Sequence, residues 1–149
     1  MTKTHKSNLA KTAIYLLKKA KDEKFDMFTF SRVRGGSISP IEVVSEYNKC
    51  GTTCCFAGHA PMALGNPSGE INTWHKYILN VFGVSCETGD WQFLFCSYWG
   101  NSRKQAAARA VVFLESGTPE DYLLRDKFLP HSTIKQLIER LKPFIIKDK

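Results

Sequence analysis

What this 149-residue chain lacks already narrows what it can be. Its apolar residues come in short groups, far from the roughly 18 consecutive ones a membrane helix needs. No membrane span is expected. The first six residues are polar and basic, and no apolar stretch with a small-residue cleavage site follows. A secretory signal is therefore not expected, and the default reading is a soluble cytoplasmic protein. Alternating βαβ units are missing, which argues against a nucleotide-binding parallel sheet. The five cysteines form no even set and include no C-x2-C pair. That removes a disulfide framework and the commonest zinc spacing, and leaves free thiols as the expectation. There is no internal repeat and no low-complexity linker. With this length, a single domain over 1–149 is expected.

Acidic residues are also in short supply. Fourteen Asp and Glu face 21 Lys and Arg, a net charge of +7. Residues 1–49 hold ten basic and five acidic side chains, and residues 50–149 hold eleven and nine. Such a balance favours anionic partners, namely nucleic acid, nucleotides or an acidic protein, without choosing among them. A basic face kept for solubility would look the same.

Apolar residues recur at helical spacing in several segments. Leu9, Ala13, Ile14, Leu16, Leu17 and Ala20 predict a helix capped by Ser7 and running to about Lys24, with Lys11, Lys18, Lys19 and Lys21 on its remaining surface. Phe28, Phe30 and Val33 break that period and predict an extended segment before Gly35-Gly36. Asn72 or Thr73 starts a helix to Phe82 that Gly83 ends. Asp90 is placed to cap an aromatic segment, Trp91 to Trp99, with helix as the first reading and strand as the competitor. Ser102 caps a helix to Ser116. Thr118-Pro119-Glu120-Asp121 reads as a further helix start, and Ser132 caps a last helix that Pro143 kinks or ends. The expected fold is mainly α: a compact bundle of six to seven short helices, with a small β element near residues 25–36.

The densest stretch is Cys50-Gly51-Thr52-Thr53-Cys54-Cys55-Phe56-Ala57-Gly58-His59-Ala60, with three of the five cysteines and one of the four histidines. Small residues predict a tight turn feeding a buried helix. Pro61 should break or kink that helix between Gly58 and Pro61, because proline removes a hydrogen bond and clashes with the preceding turn, at about 3 kcal/mol in a regular helix. The pattern Cys50-Gly51-Thr52-x-x-Cys55-x-Ala57-Gly58-His59-Ala60 resembles one found in small bacteriophage and mobile-element proteins, where the His position is often Trp. Trp91-x-x-Leu94-Phe95 with Trp99, Ala107-Ala108-Arg109-Ala110, and Phe25-Asp26-Met27 are similar to the same group. Cys54 and Pro61 depart from its pattern. The resemblance implies a phage-type accessory protein that acts in the host cytoplasm by binding and inhibiting host factors, a viral counter-defence role.

Four chemistries are open to these residues. Gly51-Thr52-Thr53 at a helix start would present free N–H groups to an anion. Arg32, Arg34, Lys49, Lys76, Arg103 and Arg109 could supply charge, and Trp74, Tyr98 and Trp99 could stack on a base. The plain alternative is that Thr52 and Thr53 cap their own helix and the aromatics are core. Cys50, Cys54, Cys55 and His59 could hold zinc, but their C-x3-C-C-x3-H spacing does not converge on a straight helix unless Cys50 lies in the preceding turn; Cys86 and Cys96 could complete a site from elsewhere. Cys55 and His59, one helical turn apart, could act as a thiol–imidazole pair. The basic first helix is the one candidate DNA contact, and no helix-turn-helix pair stands out. The leading expectation is a binding protein, not an enzyme, with no cofactor, that sequesters or inhibits an anionic partner: a nucleotide-like signal or an acidic host protein. The alternatives are a thiol- or zinc-dependent enzyme using Cys55 and His59, and a DNA-binding protein.

Overall fold

The computed structural model describes residues 1–20, 31–33, 36–38, 56–64, 74–86, 88–95, 102–121 and 131–147. The fold is mainly helical, with six α-helices among the described residues. None of them is long and apolar enough to cross a membrane.

The first helix, α1 (Lys3–Lys18), begins at Thr2 and not at Ser7. The Thr2 hydroxyl accepts the His5 backbone N–H at 3.1 Å, and the Thr2 N–H donates to His5 Nδ1 at 3.2 Å. This reciprocal box satisfies donors that a helix start leaves open. Histidine stands where Glu or Gln usually completes the pattern, which hides it in the sequence. Ser7 is instead buried, and its Oγ accepts the Ile146 N–H at 3.0 Å. The helix also stops short of Lys24: Lys19 and Ala20 N–H both turn back to the Tyr15 carbonyl.

Strands β1 (Ser31–Val33) and β2 (Gly36–Ile38) pair antiparallel in the register Ser31↔Ile38, Arg32↔Ser37, Val33↔Gly36. Residues 25–30, 34 and 35 lie outside the described residues.

A 3-10 turn, Ala57–His59, runs into α2 (Ala60–Leu64). Pro61 falls in the first turn of α2, where its missing N–H costs no intrahelical bond. The expected break thus appears as a change of helix type. Helix α3 (Trp74–Phe82) ends at Gly83, whose φ of +68° closes the turn and whose N–H donates to the Leu79 carbonyl.

Helix α4 (Gly89–Phe95) settles the first part of the aromatic segment as helix; residues 96–100 lie outside the described set. Its first turn is capped by Thr88, whose Oγ1 accepts the Trp91 N–H, and not by Asp90. Helix α5 (Arg103–Ser116) has the expected Ser102 cap and ends at Gly117. In Thr118–Asp121 no helix begins, and residues 122–130 are outside the described set. The Thr118 hydroxyl instead donates to Asp90 Oδ1 at 2.6 Å. Helix α6 (Ile134–Leu141) is capped by Thr133, one residue later than expected, and Pro143 turns its end into a 3-10 turn, Lys142–Phe144.

Helix α1 is the hub. It packs on α2, α3, α5, α6 and both 3-10 turns, with α5 as its principal partner. Ala10 and Ala13 of α1, and Ala106, Ala107 and Ala110 of α5, are essentially inaccessible; side chains this small let two backbones approach closely. Leu9, Leu16, Phe56, Tyr77, Phe82, Phe93, Val111 and Leu137 fill the core around them. Phe56, Phe82 and Phe95 form a ring cluster with centroids 5.6–6.3 Å apart, a spacing that adds directional stabilisation to area burial.

Candidate functional site

Beyond its first two turns, so many neighbours surround α1 that only a narrow strip of it stays open. Lys11, Ile14, Tyr15 and Lys18 lie on this strip, since residues three, four and seven apart share one helix face. Met62 and Ala63 of α2, Ile145 beyond α6, and Lys19 complete an open groove of about 270 Å³. Among the described residues its lining is five apolar or aromatic side chains and three lysines, with no carboxylate. Among the described residues the ion pairs are Arg140–Glu115 and Lys142–Glu139, and neither uses a groove lysine.

The fold also concentrates charge here. The two packed segments 1–20 and 131–147 hold nine Lys and Arg and one acid, Glu139, a net of +8. The rest of the chain holds twelve basic and thirteen acidic residues, a net of −1. The whole excess therefore sits on these two segments, whose helices α1 and α6 touch each other. Glu139 registers this field. The hydrogen bond from Lys142 holds its carboxyl below the ordinary range, aided by the charge of Lys142 and, more weakly, of Lys135 and Lys18. A second open groove, about 460 Å³, lies along α6 between Ser132, Lys135, Gln136, Glu139 and Arg140. Two of its charges are already matched, Arg140 by Glu115 and Glu139 by Lys142.

The residues singled out in the sequence are not gathered at one place. Arg109 is 2% exposed, its guanidinium 5.0 Å from the centre of the Phe93 ring. It is a core side chain joining α5 to α4, not a surface cation. Arg103 donates through Nη1 to the Leu16 carbonyl at 2.6 Å and to the Ala20 carbonyl. It thereby closes the carbonyl end of α1, where the helix dipole favours a cation. Lys76 is exposed on α3. Arg32 pairs with Ser37 through the hairpin backbone, and Trp74 opens α3. Thr52, Thr53, Arg34, Tyr98, Trp99, Cys50, Cys54 and Cys55 lie outside the described residues.

His59 is 4% exposed, and its ring sits beside Tyr15 of the groove, centroids 6.2 Å apart. It is thus a buried side chain packed against α1. Among the described residues no three His, Cys, Asp or Glu side chains come together. The groove itself went unidentified in the sequence. Its lysines were visible as a basic face; the missing part was Met62, Ala63 and Ile145, which the fold brings from distant segments.

No family model matches the chain, and no curated protein or solved structure matches it.

Proposed function

We propose that this protein acts by binding an anionic partner, and that the lysine-lined groove along α1 is where the partner sits. The observation that carries this is the concentration of a +8 charge on two touching segments, with three lysines facing an open groove that has no carboxylate among its described residues. Clustered like charge attracts an opposite partner from a distance and is screened by salt. The resemblance of the Cys50–Ala60 stretch to phage and mobile-element proteins supports a host-directed role, in which capture of the partner sequesters or inhibits it. Thr52 and Thr53 remain a second proposed anion contact, at the opposite end of the stretch that leads into α2.

The test is a titration of labelled poly-glutamate and of a labelled single-stranded oligonucleotide into the full chain at several salt concentrations. Affinity for at least one probe should fall steeply with salt. Neutralising Lys11, Lys18 and Lys19 to Gln should weaken it roughly tenfold or more, with thermal stability nearly unchanged. Unaltered affinity in that variant would remove the groove as the site.

A further inference from the structure

We infer that the anionic partner is a protein and that the groove takes one amphipathic acidic helix from it, with apolar anchors set between two carboxylates. This deepens the anion-binding reading and rests on it. The first argument is the lining. Ile14, Tyr15, Met62, Ala63 and Ile145 make up most of it. Met62 is half exposed, and Ile146, next to the rim, is 42% exposed. A phosphate backbone gains nothing from such a surface. Leucine-like side chains gain by leaving water.

The second argument is size. At about 270 Å³ the groove falls below the roughly 300–1,000 Å³ of sites that enclose a small organic ligand. It suits one or two side chains of a longer partner. The third argument is spacing. Lys11 and Lys18 stand two helical turns apart, about 10.5 Å along the axis, with Ile14 and Tyr15 between them. A helix laid along α1 presents the complementary order when acids seven residues apart bracket apolar residues at the third and fourth positions. Base stacking would need an open aromatic face, whereas Tyr15 is half-buried and turned toward His59.

Two labelled peptides of about 15 residues, long enough for marginal helicity in water, provide the test. One carries Glu-x-x-Leu-Leu-x-x-Glu in an alanine-rich frame; the other has serine for both leucines. The leucine peptide should bind the full chain roughly tenfold or more tightly than the serine peptide. Met62→Ser, at a half-exposed position that keeps the fold, should erase most of that difference and leave the serine peptide's affinity within about twofold. Equal affinity of the two peptides overturns the helix assignment. So does an oligonucleotide that binds more tightly than both and ignores Met62→Ser. Either result leaves the anion-binding reading standing. Absence of salt-sensitive binding to the peptides and the oligonucleotide alike would sink both.

Discussion

Gly83, which ends α3, lies against the His5 side chain of α1. The residue has φ +68°, and a Cβ there would stand 2.4 Å from His5 Nδ1. That nitrogen is the acceptor that completes the Thr2 cap. Gly83→Ala therefore combines left-handed strain with displacement of a capping side chain, and should cost about 1–3 kcal/mol, read as a lower urea midpoint with an unchanged slope. Tyr77 gives a second residue-level expectation. It is 1% exposed, and burial pushes its phenol far above the ordinary value of 10.0. The folded state keeps the proton where the unfolded chain releases it, so this contribution is intact below about pH 10 and is lost as pH rises further. Urea melts of the wild type should lose stability above that pH, and Tyr77→Phe should flatten the decline. A slope as steep in Tyr77→Phe as in the wild type would show that other groups set it.

At the scale of elements, the caps separate what was legible from what was not. Ser102 and Gly117 bound α5 as the sequence suggests, because Gln105 completes an ordinary capping box and Gly117 takes φ +79°. The start of α6 is off by one residue: Thr133, not Ser132, accepts the Gln136 N–H at 3.1 Å, and Gln136 returns the bond to the Thr133 N–H. Two hydroxyls stand side by side there, and only the position of Gln three residues later distinguishes them. Thr133→Ala should thus cost about 1 kcal/mol, whereas Ser132→Ala should stay within about 0.5 kcal/mol; equal losses in thermal melts would contradict the cap assignment. The helical stripes of α1, α3, α5 and α6 were readable from period alone. The ends of α1 were not, since one depends on an unusual histidine and the other on Arg103, 87 residues from Leu16. Arg103 and Arg109 stand in the sequence as candidate charges for an anion site, but tertiary contacts place both on backbone or ring partners.

For the molecule as a whole, the charge division read along the chain was blurred by where the line was drawn. Splitting at residue 49 gives a basic first third. The folded arrangement shows that residues 1–20 hold that excess and that the segment 131–147 adds three more positive charges beside it. The candidate groove inherits this property from chain topology and not from any local motif, which is why the cysteine-rich stretch drew attention first. Its described part, Phe56 to Ala60, serves the groove indirectly: it carries α2 into place and sets His59 behind Tyr15. The bond from the Ile146 N–H to Ser7 Oγ spans 139 residues. At a synthesis rate of about 5–20 residues per second, the first helix leaves the ribosome roughly 7–28 s before the segment that pins it. Until residues 103–116 have been made, the buried leucines and alanines of α1 have no α5 to cover them, so this surface is open to other chains for most of that interval.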